Sequence, residues 1–269
     1  SKDLGGFLIK AEKSHSEKTV AALEASIDTC SYHAFYPGRV ATSCMGVNFN
    51  LAVKAALEVI DREGYKFQLA FDNDLAGNEA AVRFKERMIE EIGEEEFKSL
   101  VQDGTLNFFD LGVRCFKESI QNNETFYFDV LYNPIGREAA IMFQEALAKE
   151  IGMPAIKSLL KEGKLKYANL WPNFGIMQNP EKEAETVYNL LCSDKPFYLR
   201  IKEELSEEEE KNANIKYKKE MFLKAFYKIS EERFENWENE GKIITSKQAI
   251  AKDWNEYLQY QKKKPEFNL

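Results

Sequence analysis

Short apolar runs alternate with segments of helical periodicity along residues 1–150, and this alternation limits the class of fold that the chain can adopt. Residues 67–71 are mostly apolar and have the length of a buried strand. Residues 51–62 and 78–92 place apolar side chains three and four positions apart, which predicts two amphipathic helices. Strands that alternate with helices are typical of a mainly parallel sheet. The sequence therefore predicts an α/β fold with a mainly parallel sheet and flanking helices.

The chain contains an internal repeat of the segment that begins at residue 67. Residues 67–106 align without a gap with residues 126–165, and the alignment pairs Gly77 with Gly136. Such self-similarity indicates a duplicated strand–loop–helix unit. We therefore expect three segments: a core at residues 1–110, a degenerate repeat at 111–180, and a mostly helical C-terminal region at 181–269.

Composition excludes several classes of protein. The formal net charge is −8, so the chain lacks the overall positive field of a dedicated nucleic-acid-binding protein. The four cysteines and two histidines form no zinc-binding pattern, and so few cysteines in a chain of this length favour a reducing, cytoplasmic compartment. No apolar run approaches the about 20 residues that a membrane-spanning helix requires.

Carboxylates follow two of the expected strands. Asp72 and Asp74 come directly after residues 67–71, Asn73 adds a neutral oxygen between them, and Gly77 lets the backbone turn into the next helix. Glu24 follows an earlier apolar run, and the ends of parallel strands meet at one edge of a sheet. Hard oxygen ligands of this kind suit Mg²⁺ or Mn²⁺. The alternative is that two aspartates before a helix serve only as a cap and a turn.

These residues resemble a known family. Residues 67–83 are similar to the D-x-D-x-A-G segment of the TOPRIM domain, which occurs in bacterial primases, in type IA and type II topoisomerases and in OLD-type nucleases. Glu24 and Asp28 match its upstream E-x-x-x-D motif, and residues 40–46, which end at Gly46, resemble the strand before a glycine turn in primase-type members. Residues 252–255, K-D-W-N, resemble a closing motif of primase-like TOPRIM proteins of plasmids and other mobile elements.

The resemblance implies a Rossmann-like TOPRIM fold and a set of roles. Glu24 would be the general acid/base, and Asp72 and Asp74 would hold Mg²⁺ or Mn²⁺ together with Glu24. Asp28 would assist metal binding or position the glutamate. The residues with possible supporting roles are Asn73, Gly77, Gly46, Lys252 and Asp253. For Lys252 and Asp253, a purely structural role is an equal alternative.

The implied function is Mg²⁺-dependent phosphoryl-transfer or phosphodiester chemistry on nucleic acid, in a primase-like protein of a mobile element. The chain resembles a TOPRIM unit that acts with further domains or replication proteins, or a small stand-alone relative. We expect weak binding to single-stranded DNA and no membrane partner. Two alternatives stay open: a TOPRIM nuclease, and a non-catalytic module that binds nucleic acid or protein and keeps only the acidic cluster.

The second copy of the repeat is expected to keep the fold of the first copy without its metal site. Leu131 and Asn133 stand where the first copy has Asp72 and Asp74, so the second copy lacks ligands for a hard cation. We therefore expect residues 126–151 to form a strand, a turn and a helix like residues 67–92, without a metal. This unit would widen the sheet or cover its edge.

Overall fold

The computed structural model describes residues 7–12, 17–46, 48–171, 174, 177–201, 209, 211–244 and 250–264. The chain folds as two compact units, and each is assembled from separate stretches of sequence. The first unit takes residues 1–126, 133–165 and 248–269, and the second takes residues 127–132 and 166–247. This division differs from the three segments named from the sequence, because the C-terminal residues return to the first unit.

The first unit contains a five-stranded sheet in the order β1-β3-β2-β4-β5. Neighbouring strands run parallel, except that β1 pairs with β3 antiparallel. The mainly parallel α/β class expected from the sequence is confirmed. The strands are β1 (Leu8–Ile9), β2 (Thr19–Leu23), β3 (Val40–Ser43), β4 (Lys66–Leu69) and β5 (Leu106–Phe108).

Helices follow most strands of this sheet, as the sequence pattern predicts. The apolar face of the helix after β4 packs on the sheet, where Phe67 stacks on Phe84 with ring centroids 5.8 Å apart. The helices of the first unit are α1 (Ser26–Phe35), α2 (Phe49–Ile60), α3 (Leu75–Ile92), α4 (Glu94–Gln102), α5 (Asp110–Gln121), α6 (Pro134–Ile151), α7 (Met153–Lys161) and α11 (Trp254–Lys262).

The second unit contains a four-stranded sheet in the order β6-β7-β8-β9, in which β7, β8 and β9 run parallel. Its core includes the buried rings of Phe197, Phe222, Phe226 and Trp237. Its strands are β6 (Phe126–Leu131), β7 (Leu165–Trp171), β8 (Tyr198–Ile201) and β9 (Ile243–Ile244). Its helices are α8 (Pro180–Cys192), α9 (Ala213–Ser230) and α10 (Phe234–Asn239). The described part of the region after residue 180 thus contains β8 and β9 besides its helices.

The repeat expected from the sequence is present in the local structure. β4, α3 and α4 recur as β6, α6 and α7. Both long helices begin at a side-chain cap: Asp74 Oδ1 accepts the Gly77 N–H at 2.9 Å, and Asn133 Oδ1 accepts the Gly136 N–H at 2.8 Å. Both end at a glycine with positive φ, 84° at Gly93 and 79° at Gly152.

One expectation about the repeat is wrong. β6 does not widen the first sheet, because it pairs with β7 in the second sheet. α6 packs against α3 and against the edge strand β5, so it is the helix of the second copy that covers the edge of the first sheet. The helices of the described residues include none with the length and apolar composition needed to cross a membrane.

Candidate metal centre

The two acidic motifs meet at one edge of the first sheet. β2 ends at Leu23 and is followed by Glu24, while β4 ends at Leu69 and leads into the loop that contains Asp72. Since the two strands are parallel neighbours, their carboxyl ends lie side by side. The Asp72 N–H donates a hydrogen bond to Glu24 Oε1 at 3.0 Å. The strand-end glutamate therefore touches the loop that carries both aspartates.

The glycine after the aspartates is required by close packing. A Cβ on Gly77 would lie 2.2 Å from the Asp72 carbonyl oxygen and 2.9 Å from Glu24 Oε1. Distances below 3.0 Å to a backbone atom cannot be relieved by a side-chain rotation. A residue without a side chain is therefore needed for the glutamate to reach the loop.

A second turn holds the backbone of the glutamate. Gly46 follows β3 with φ of 96°, and its N–H donates to the Glu24 carbonyl at 2.8 Å. The Ser43 hydroxyl donates to the same carbonyl at 3.2 Å. The glycine turn at Gly46, expected from the sequence to support the site, thus holds the backbone of Glu24 in place.

Five carboxyl groups lie within electrostatic range of this site, and we call them the acidic cluster. Two come from the loop after β4, one from the end of β2, one from the first turn of α1 and one from the cap of α11. Asp28 is buried, whereas Asp253 keeps 18% of its side-chain surface exposed. The members are Glu24, Asp28, Asp72, Asp74 and Asp253.

Burial and repulsion between like charges both disfavour the ionised form of carboxyl groups in the cluster. Burial raises the pKa of Glu24 to about 7, even though the Asp72 N–H opposes this, and the nearby aspartates add to the rise. Burial, followed by the charge of Glu24, raises the pKa of Asp72 to about 9. Burial and the charge of Asp253 also raise the pKa of Asp28. A positive ion placed among these groups would offset the repulsion.

The chemistry of the cluster fits a hard divalent cation. Asp72 Oδ1 is buried and accepts no hydrogen bond, so it is an oxygen that lacks a partner. Asp74 caps α3 through Oδ1, which leaves its other oxygen for a cation. The same carboxylate can therefore act both as a helix cap and as a ligand. No three His, Cys, Asp or Glu side chains of the described ranges are already gathered at metal-ligand spacing. Mg²⁺ keeps several waters and binds through one or two carboxylates, so a Mg²⁺ site does not require three preassembled side-chain ligands.

The K-D-W-N motif lies against this site, although it is distant in sequence. We call residues 250–264 the C-terminal segment. The Asn73 N–H donates to the Lys252 carbonyl at 2.6 Å, and the Trp254 indole N–H donates to the Ala70 carbonyl at 3.0 Å. The Asn255 N–H donates to Asp28 Oδ1 at 3.3 Å. Lys252 itself is exposed, with Nζ 3.9 Å from Asp253 Oδ2.

Asn73 is directed toward this segment and α5. Its Nδ2 group lies 3.5 Å from the Ala251 carbonyl, and its Oδ1 lies 3.1 Å from the point that a Cβ on Gly112 would occupy. Sequence reasoning treated Asn73 as one more oxygen and did not identify Trp254 as a contact of the loop. A tryptophan within a strongly polar stretch was the sign of that contact, since large aromatic residues are usually buried.

Comparison with known proteins agrees with this geometry over part of the chain. Residues 22–105 match a family model described as Toprim-like. The match runs from the end of β2 to just beyond α4 and includes Glu24, Asp28 and both aspartates of the loop, and it supports a TOPRIM domain in this region. A domain of this type suggests metal-dependent chemistry related to nucleic acid. Searches of curated proteins and of solved structures found no match.

Proposed function

We propose that this chain carries out Mg²⁺-dependent phosphoryl-transfer or phosphodiester chemistry on nucleic acid, in a primase-like protein of a mobile element. The observation that carries the proposal is the hydrogen bond from the Asp72 N–H to Glu24 Oε1 at 3.0 Å. It joins a strand-end glutamate to a loop with two further carboxylates, within the region that matches the Toprim-like model.

The proposed cation is held by Asp72, Asp74 and Glu24. A bound Mg²⁺ or Mn²⁺ ion supplies positive charge that stabilises the charge developing on a transferring phosphoryl group. Asp74 offers the oxygen that does not cap α3, and Asp72 offers its buried, unpartnered Oδ1.

Glu24 is the proposed general acid/base, because its carboxylate lies at the meeting point of the two strand ends. Asp28 is proposed to position the site. The residue is 4% exposed, and its Oδ1 accepts the Asn255 N–H, so it connects α1 to the start of α11. Lys252 is exposed beside the cluster and is a proposed contact for a phosphate group.

The proposed partner is single-stranded DNA, which the chain binds weakly by itself because the net charge is −8. Raising the salt concentration should weaken this binding further, since the phosphate contacts depend on counterion release. Further domains or replication proteins would provide the additional affinity for single-stranded DNA, in the cytoplasm.

A nuclease and a primase would use the same cluster but consume different substrates. An assay with labelled single strands, run with and without nucleoside triphosphates, separates them: shortened strands indicate a nuclease, and new strands that require nucleotides indicate a primase. A non-catalytic module is the second candidate function. The observation in its favour is the net charge of −8, which gives the chain little overall attraction for nucleic acid.

Mn²⁺ titration calorimetry tests the metal site itself. The double variant Asp72→Asn/Asp74→Asn should lose Mn²⁺ binding, because it removes two of the three carboxylates. Asp61→Asn, at the exposed end of α2, is the matched control and should bind as the wild type does. Equal Mn²⁺ affinity in the wild type and the double variant would contradict the proposal.

A further inference from the structure

Three hydrogen bonds with backbone or indole N–H donors join the C-terminal segment to two elements that carry members of the acidic cluster. Two of them, from the Asn73 N–H and to the Ala70 carbonyl, belong to the loop after β4. The third ends on Asp28 in the first turn of α1. The segment also brings Asp253 close enough for its charge to act on Glu24, Asp28 and Asp72.

Asn73 is the residue on which these contacts converge. It stands between the two aspartates in sequence, is 3% exposed, and gives both its backbone N–H and its side-chain amide to the segment. A displacement of its backbone would move both neighbouring carboxylates at once. Loosening the segment therefore acts on the loop without substituting any carboxylate, although it also displaces Asp253.

The other end of the segment contacts Glu118 on α5 and Asn122 just after it. Glu118 on α5 accepts a hydrogen bond from Gln261 Nε2 at 2.6 Å and pairs with the Lys264 ammonium. The Tyr257 hydroxyl lies 3.4 Å from the same carboxylate. Asn122 adds a contact to the Tyr260 hydroxyl at 3.1 Å. These contacts hold the second half of α11 and the residues that follow it.

We propose that the C-terminal segment positions the acidic cluster for its cation, with Asn73 as the positioning residue that transmits the effect. This inference rests on the proposed metal site. Closure of the segment and binding of the cation are then coupled, and by linkage each strengthens the other. The cation should slow the opening of residues 250–264, and weakening the α5 anchor should weaken the binding of the cation.

Glu118→Ala tests the coupling, because it loosens α11 while leaving every member of the cluster unchanged. Lys117→Ala is the matched control: Lys117 precedes it on α5 and pairs with Glu150 instead of the segment. Mn²⁺ affinity of the purified full chain should fall about fivefold or more in Glu118→Ala and stay at the wild-type value in Lys117→Ala. Hydrogen exchange of residues 250–264 in the wild type should slow when Mn²⁺ is added, which a purely structural contact would not produce.

The double variant Gln261→Ala/Lys264→Ala removes the same anchor from the side of the C-terminal segment and serves if Glu118→Ala does not fold. Wild-type affinity in these variants, together with faster exchange of the segment, would overturn the coupling while leaving the metal site intact. Failure of the wild type to bind Mn²⁺ would overturn both the proposed function and the coupling. The two failures are therefore distinguishable.

Discussion

Replacing Gly77 by alanine should damage the fold and the metal site together. The new Cβ would lie 2.2 Å from the Asp72 carbonyl oxygen and 2.9 Å from Glu24 Oε1, so the loop or the first turn of α3 must move. Two hydrogen bonds fix that geometry: Gly77 N–H to Asp74 Oδ1, and Asp72 N–H to Glu24 Oε1.

The magnitude follows from three contributions. Overpacking a filled site costs roughly 1–3 kcal/mol. The two strained hydrogen bonds are each worth about 1 kcal/mol. Alanine returns up to about 1 kcal/mol through its higher helix propensity. We expect the free energy of unfolding to fall by roughly 2–4 kcal/mol and the Mn²⁺ affinity to fall with it.

Gly112→Ala is the matched control in the same unit. Its Cβ would lie 3.1 Å from two side chains, Asn73 and Phe143, which can shift by a few tenths of an ångström. Urea unfolding measured by circular dichroism, with hydrogen exchange of α3 to assign the loss to the first unit, compares the two variants. The reasoning is refuted if Gly77→Ala is no less stable than Gly112→Ala.

Three other predictions concern the repeat, acid stability and the thiols. Asn133→Ala should cost about 1 kcal/mol in urea unfolding, because it removes the side-chain cap from the Gly136 N–H. Burial acts to raise the pKa of Glu118, but hydrogen bonds from Lys264, Gln261 and Tyr257 outweigh it and lower this pKa. The stabilisation from Glu118 is therefore present above the unfolded-state pKa and is lost as the pH falls through the folded-state value. Hydrogen exchange should show residues 250–264 opening faster in acid, and Glu118→Gln should reduce that pH dependence. Dithionitrobenzoate should modify two exposed thiols quickly and two buried ones slowly, because burial raises the pKa of the buried pair to about 12. The slow pair is Cys44 and Cys115.

Local patterns predicted the elements that carry the acidic cluster. The apolar run before Asp72, the helix after it and the repeated unit are all visible in neighbouring residues, since they depend on periodicity and capping. β5 and β9 have three and two residues, which is too short for a period to appear. β8 has four residues and lies within a charged region, so it was not recognised either.

The closure of the C-terminal segment on the loop after β4 could not be derived from local pattern. It depends on contacts between Ala70 and Trp254 and between Asn73 and Lys252, which are far apart in the chain. Only the K-D-W-N resemblance pointed to this region, and it did not say what the motif would touch. In the same way, no pattern indicated that β6 would pair in a second sheet.

The order in which a ribosome makes this chain bears on the return of residues 250–264 to the first unit. β1 through α5 emerge early, and the loop with Asp72 and Asp74 is synthesised long before Trp254. At about 5–20 residues per second, the nascent chain spends many seconds with the Ala70 carbonyl and the Asn73 N–H lacking these partners. A product terminated before Trp254 would retain both acidic motifs but lack the segment that fastens them. Premature termination therefore yields a chain whose loop after β4 lacks the hydrogen bond from Trp254.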